Sequence, residues 1–90
     1  MASTQDLARD YARRLRTASD QKAEVQAIAA EIDSLTYTDT GGPITFIDKQ
    51  RIVEGMNEEF SISTKGATGI LKEADNKKYL DLVKELQKLL

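Results

Sequence analysis

Carboxylates are the side chains in this sequence best suited to acid–base or metal chemistry, because its 90 residues include 15 Asp and Glu but no His or Cys. Two carboxylates in a preformed cleft can act as general acid and general base. The absence of His and Cys excludes an imidazole base, a thiolate nucleophile, a Ser/His/Asp triad, haem ligation and a structural zinc site. A chain of this length buries a small core and rarely builds a cleft, so we expect no enzyme activity, no cofactor and no metal.

A glycine-containing stretch at residues 65–69, with the sequence Lys-Gly-Ala-Thr-Gly, is a second candidate for chemistry. Loops of this kind can cradle a phosphate group through their backbone N–H groups. The stretch is shorter than a P-loop and lacks the trailing Gly-Lys-Ser/Thr. We therefore interpret it as a turn, and no small-molecule substrate is indicated.

Residues 52–74 resemble a helix-turn-helix, although the resemblance covers only this stretch and points to no family. The apolar residues at positions typical of that motif are Met56, Phe60, Ile62, Ala67 and Ile70. Ile62 and Ser63 resemble the hydrophobe–Ser pair that caps a recognition helix. The resemblance implies that nucleic acid would be contacted by Ser63, Thr64, Lys65, Thr68 and Lys72.

The same stretch departs from the helix-turn-helix pattern, and two other interpretations remain open. Ser61 stands where a turn glycine is common, and Gly66 and Gly69 lie inside the supposed recognition helix. The candidate contacts include no Arg, Asn or Gln that could read base edges. A packing corner without DNA is therefore favoured, and a β-hairpin pairing residues 60–64 with 67–71 is the other alternative.

The charge distribution does not indicate a dedicated nucleic-acid-binding protein. The formal net charge is −2, and no segment is strongly basic. No apolar run reaches the ~18 residues of a membrane span, and the first residues carry no signal-peptide pattern. We therefore expect a soluble, intracellular protein in the cytoplasm, and the absence of Cys fits a reducing compartment.

The first third of the chain is predicted to form one long helix. Residues 3–35 are rich in helix formers and contain neither Gly nor Pro, and residues 3–6 have the form of a capping box. Apolar residues follow helical spacing, with one gap after Ala18; they are Leu7, Tyr11, Leu15, Ala18, Val25, Ile28, Ile32 and Leu35. Residues 17–20 could instead cap a second helix and create a helical hairpin, but we favour the continuous helix.

A continuous helix of this kind has a consequence for association. At 1.5 Å per residue it would be a rod of ~48 Å, longer than the rest of a small domain can cover. Residues 1–18 would then project as an association arm, and Leu7, Tyr11 and Leu15 would need apolar cover from a partner chain. Arg13 and Arg16, on a stripe with Arg9, could meet an acidic partner or RNA, but ion pairs with the flanking Asp6, Asp10 and Asp20 are the favoured explanation.

The remainder of the chain predicts a connection and further helices. Gly41, Gly42 and Pro43 end the first helix, and residues 36–38 could pair with 44–46 in a short β-hairpin or form a plain loop. A helix is predicted over 48–60 despite Gly55. A C-terminal helix is predicted from Asp75 or Asn76 to Leu90, packed on the stripe from Val25 to Leu35. Its apolar face comprises Tyr79, Leu82, Val83, Leu86, Leu89 and Leu90.

The sequence thus predicts a single, mainly α domain over residues 1–90, with a long N-terminal helix, a Gly-Gly-Pro connection, one or two short helices and a C-terminal amphipathic helix. The favoured function is a non-enzymatic interaction or assembly subunit that self-associates or docks into a larger complex through its N-terminal helix. One alternative is a small helix-turn-helix regulator that binds nucleic acid through residues 61–74. A further alternative is a small inhibitor of another macromolecule.

Overall fold

The protein folds into four helices. The computed structural model describes the backbone of residues 1–65 and 70–90 and the side chains of residues 1–61 and 77–90. The helices are α1 (Thr4–Thr17), α2 (Gln21–Asp33), α3 (Phe46–Lys65) and α4 (Ile70–Leu89). The predicted mainly α class is confirmed, and the described residues contain no strand. None of the helices, over those residues, is both long and apolar enough to cross a membrane.

The prediction of one continuous N-terminal helix is wrong. Helix α1 ends at Thr17, Ala18 is extended with φ −67° and ψ 136°, and α2 begins at Gln21. The carboxylate of Asp20 accepts a hydrogen bond from the backbone N–H of Ala23 at 3.1 Å and so caps α2. A short polar side chain that satisfies a free N–H group offsets the loss of helical bonds at the break. The hairpin alternative is therefore the one that the chain adopts.

The connection between α2 and α3 is a tight turn rather than a hairpin of two strands. Thr36 and Pro43 form one isolated bridge, and the N–H group of Tyr37 donates to the Gly42 carbonyl at 2.8 Å. Gly41 has a φ of +70°, a conformation that favours glycine. The Ile44 N–H group donates to the Leu35 carbonyl at 2.9 Å, and this bond ties the loop to the end of α2.

The four helices form a bundle in which each one packs mainly on two others. Helix α1 packs on α2 and α3, and α4 packs on the same two helices. Tyr79 stacks on Phe60 and Gln87 donates to Gln50 at 3.1 Å, so α4 runs antiparallel to α3. The contact of α4 with α2 is the one predicted from the sequence. Because α1 lies along α3, residues 1–18 are part of the bundle and do not project as an arm.

The core is built from apolar residues of all four helices and the loop. The fully buried large side chains are Phe60, Leu15, Ile28, Ile32, Ile52, Met56, Leu86 and Val83. Between α1 and α3 the backbones approach closely, since small residues meet there: Ala8 and Ala12 are buried and Ala8 faces Gly55. A glycine inside α3 is therefore explained by packing, although it weakens the helix itself.

The last two helices are both longer than predicted. Helix α3 begins at Phe46 and continues through Ser61 to Lys65, and α4 begins at Ile70 rather than at Asp75 or Asn76. The helix-turn-helix interpretation needs a turn near Ser61, and the β-hairpin alternative needs a strand over residues 60–64. Both are contradicted at residues 60–65, because these residues belong to α3, while residues 66–69 of the same interpretations lie outside the described residues.

Candidate interaction surface

The face predicted to await a partner lies mostly in the protein's own core. Tyr11 is 5% exposed and Leu15 is fully buried, while Leu7 is half-buried and packs against the core. The break after Thr17 folds α2 back on α1, and α3 lies along the other side of α1. The expectation that these three residues need apolar contacts from another chain is therefore wrong. It assumed one continuous helix too long for the rest of the chain to pack against.

Burial also changes the titration of Tyr11. The pKa of its hydroxyl is raised above the ordinary 10.0, mainly because burial disfavours the phenolate and also because Glu31 and Asp10 are negative neighbours. Arg14 lowers the pKa of Tyr11, because its positive guanidinium carbon lies 5.7 Å from the centre of the Tyr11 ring. Tyr11 is thus held in its neutral form and serves packing.

The arginine stripe of α1 is largely engaged within the chain. Arg9 pairs with Asp6 at 3.7 Å and Arg13 with Asp10 at 4.0 Å, as the sequence predicts. Arg16 instead donates to the backbone carbonyl of Glu59 at 3.2 Å, and its guanidinium carbon lies 5.0 Å from the centre of the Phe60 ring. The predicted third acidic neighbour, Asp20, caps α2. Arg9 also lies 3.9 Å from the Glu59 carboxylate, so Arg9 and Arg16 both help to hold α1 against α3.

Arg14 has a role that the sequence did not indicate. Its guanidinium forms two hydrogen bonds with the Glu31 carboxylate, at 2.8 Å and 2.6 Å, and reaches Glu24 at 2.7 Å. The hydrogen bonds from Arg14 lower the pKa of Glu31 below its ordinary 4.5, and Glu31 in turn raises the pKa of Arg14. These contacts join α1 to α2 across the break. They depend on the helical hairpin, which the sequence pattern did not favour.

The candidate nucleic-acid residues do not come together at a helix-turn-helix. Ser63, Thr64 and Lys65 are in the last turn of α3, and Lys72 is in the first turn of α4. Thr68 lies outside the described residues, as do the side chains of the other four. Among the residues whose side chains the structure describes, no acidic cluster could hold a metal ion.

Among the side chains that the structure describes, the most exposed large apolar ones lie at the first turn of α3, where the sequence pattern predicted no site. Phe46 is 66% exposed and Ile47 is 64% exposed, and Pro43 before them is also exposed. We refer to Pro43, Phe46 and Ile47 as the Phe46 patch. A sequence signal for it does exist, because Ile47 lies on the same side of the helix as the charged residues Arg51 and Glu54.

Phe46 is exposed although it lies on the side of α3 that is buried further along the helix. At 3.6 residues per turn, Phe46 lies one heptad before Val53, and Val53 is only 2% exposed. Gln87 of the antiparallel α4 is level with Gln50, so the hydrogen bond that joins α4 to α3 lies one turn after Phe46.

A hydrogen-bonded network holds the first turn of α3 in place beneath the patch. The Thr45 hydroxyl accepts from the Asp48 N–H group at 3.3 Å and so caps the helix. The Tyr37 hydroxyl accepts from the Thr45 N–H group at 3.1 Å and donates to the Asp48 carboxylate. Asp48 also pairs with Arg51 at 3.2 Å. The exposed Phe46 and Ile47 are therefore fixed on a capped helix rather than carried on a loose loop.

A shallow groove between α2 and α4 is the second apolar feature of the surface. It has a volume of about 450 Å³, and its lining residues are Lys22, Val25, Gln26, Leu82, Glu85 and Leu89. Leu89 is 49% exposed, which makes it the third large exposed hydrophobic side chain in the described part of the chain. We refer to this feature as the α2–α4 groove.

Comparison with protein-family models, with curated proteins and with solved structures gives no match for this chain.

Proposed function

We propose that the protein is a non-enzymatic assembly subunit that associates with further copies of itself through the Phe46 patch. The observation that carries the proposal is the pair Phe46 and Ile47, two adjacent large apolar side chains that are each about two-thirds exposed. Aromatic side chains with an apolar neighbour are typical anchors of protein interfaces. This retains the self-association expected from the sequence and moves it from α1 to the start of α3.

The way in which the patch is supported favours a binding role over incidental exposure. Thr45, Tyr37 and Asp48 hold the first turn of α3, and Ile44, directly before it, is buried. An anchor that is already ordered loses little conformational entropy when it binds. The patch exposes on the order of 300 Å² of apolar surface, a size that is often functional on monomers.

The size of the patch also sets the expected strength of association. A stable interface buries about 800 Å² on each partner, and smaller interfaces are weak or transient. The Phe46 patch alone is below that size, so we expect an equilibrium between monomers and assemblies that shifts with protein concentration.

Sedimentation at a series of protein concentrations tests the proposal. The mean mass of the wild-type protein should rise with concentration, whereas Phe46→Ser should stay monomeric over the same range. Loss of an interface anchor costs about 2 kcal/mol or more, which weakens association at least tenfold. Because Phe46 is mostly exposed, its truncation should leave the fold intact, as circular dichroism would verify.

Two further variants make the result specific. Glu58→Ser changes an exposed residue on the solvent side of α3 and should associate like the wild type. Arg13→Glu alters the surface that the sequence alone predicted, and it should also associate like the wild type. A wild-type protein that remains monomeric at every concentration would overturn the proposal, as would association that is lost in Arg13→Glu but kept in Phe46→Ser.

A further inference from the structure

We propose that the association pairs two different surfaces, with the Phe46 patch of one copy seated in the α2–α4 groove of the next copy. This inference rests on the proposed function and adds to it the surface that receives the patch. The patch presents two large side chains, each about two-thirds exposed, at the start of α3, and the groove is a depression between two helices. Exposed side chains and a concave surface can bury each other more completely than two sets of exposed side chains can.

Coverage of the exposed apolar side chains is the first observation in favour of this pairing. The described part of the chain has three large exposed hydrophobic side chains, and they are Phe46, Ile47 and Leu89. Leu89 lines the groove together with Leu82 and Val25. Contact between the Phe46 patch and the groove covers all three, whereas contact between two Phe46 patches leaves Leu89 in water.

The area required for association is the second observation. A patch of on the order of 300 Å² falls well short of the roughly 800 Å² that each partner contributes to a stable interface. If the patch sits between α2 and α4, the interface includes polar groove residues such as Lys22 and Glu85 in addition to the apolar Leu82 and Leu89. The groove volume of about 450 Å³ lies within the range of sites that enclose apolar groups.

Charges at the two surfaces are compatible with this contact. The groove is bordered by Lys22 on α2 and Glu85 on α4. The first turns of α3 carry Arg51 beside the Phe46 patch, with its side chain 65% exposed. An orientation of docking that brings Arg51 to Glu85 therefore pairs unlike charges at the edge of the contact.

A mixing experiment with two variants tests the inference. Phe46→Ser/Ile47→Ser removes the patch and keeps the groove, whereas Leu89→Asp places a charge in the groove and keeps the patch. Leu89 is half-exposed in the last turn of α4, so its replacement should not unfold the bundle. Sedimentation of each variant alone, and of a 1:1 mixture, is measured at a concentration at which the wild type associates.

The inference predicts that each variant alone is monomeric and that the mixture forms a 1:1 complex. In the mixture the intact patch of the Leu89→Asp chain meets the intact groove of the other chain. Each variant should self-associate at least about tenfold more weakly than the wild type. Lys84→Asp also places a carboxylate on α4, at an exposed position that does not line the groove, and it should associate like the wild type.

The remaining outcomes separate this inference from the proposed function. If Leu89→Asp associates like the wild type while the patch variant is monomeric, the patch binds elsewhere, and only the inference is overturned. The same holds if both variants are monomeric and their mixture is monomeric too. If the patch variant associates like the wild type, or the wild type itself is monomeric, the proposed function is overturned as well.

Discussion

A methyl group added to Gly55 in α3 would stand 2.6 Å from the Cβ atom of Ala8 in α1. Real Cβ atoms do not approach so closely, and the alanine Cβ is fixed to its backbone and cannot turn aside. Glycine in a helix costs about 1 kcal/mol relative to alanine. The contact between α1 and α3 therefore explains why α3 keeps a residue that weakens the helix.

Replacing Gly55 by Ala should destabilise the protein, although alanine favours helix. Overpacking of a tight contact typically costs about 1–3 kcal/mol, and this exceeds the gain in helix propensity. Urea unfolding followed by circular dichroism measures the free energy of unfolding. At an exposed helical position the same exchange would stabilise the protein by about 1 kcal/mol. A gain of that size at Gly55 would show that the two helices lie farther apart than the 2.6 Å separation implies.

Exchange of the two residues supplies the control. Ala8→Gly in the Gly55→Ala background removes the methyl group that causes the clash, but it places a glycine in α1 at a cost of about 1 kcal/mol. The double variant should therefore lose less stability than the sum of the losses in the two single variants. A loss in the double variant equal to that sum would mean that the contact does not limit the packing.

The hydrogen bonds between Arg14 and Glu31 predict how stability changes in acid. The pKa of the Glu31 carboxyl is lowered in the folded protein from its ordinary 4.5. A carboxyl of this kind stabilises the fold above pH 4.5, and the contribution is lost as the pH falls through the lowered pKa. Both side chains are more than a third exposed, so the contribution is below about 1 kcal/mol.

Glu31→Gln should therefore be less stable than the wild type at pH 7, and the difference should be smaller at about pH 3, where the carboxyl of the unfolded chain is protonated. Urea unfolding at both pH values measures the difference. Asp10→Asn is a matched control, since the Asp10–Arg13 pair is exposed and its atoms are 4.0 Å apart. A difference for Glu31→Gln that is the same at both pH values would contradict the explanation.

The Tyr37 hydroxyl should matter for both the fold and association. Tyr37→Phe removes the group that accepts from the Thr45 N–H group and donates to Asp48. Loss of such bonds typically costs about 1 kcal/mol, and the first turn of α3 would be held less firmly. We expect lower stability in urea, faster amide exchange at residues 46–48 and weaker self-association.

Tyr79→Phe is the matched control for that variant. It removes a hydroxyl from a ring that stacks on Phe60 at 4.8 Å between centroids and keeps the stack. The exchange rates at residues 46–48 should then be unchanged. Equal rates in Tyr37→Phe and the wild type would show that the network does not hold the first turn.

Local sequence patterns predicted the helices better than their ends. The capping of α1 by Ser3 is confirmed by the 3.1 Å bond from the Asp6 N–H group, and the apolar spacing of α4 agrees with its contacts to α2 and α3. The sequence favours a continuous helix over a break at residues 18–20, because these residues include no Gly or Pro. Asp20 made the break possible by capping α2, and the burial of Tyr11 and Leu15 in the hairpin stabilised it.

The sequence by itself determined the helical class of the protein and which kinds of side-chain chemistry it lacks. Without His or Cys, the reactions those side chains support are excluded whatever the fold, and periodic apolar residues specify amphipathic helices locally. The tertiary structure decided which apolar residues are covered. Tyr11 and Leu15 are buried because α2 and α3 pack on α1, whereas Phe46 is 66% exposed although it lies on the same side of α3 as the buried Val53. Exposure depends on which neighbouring helices lie against a residue, and a pattern within one helix does not contain that information.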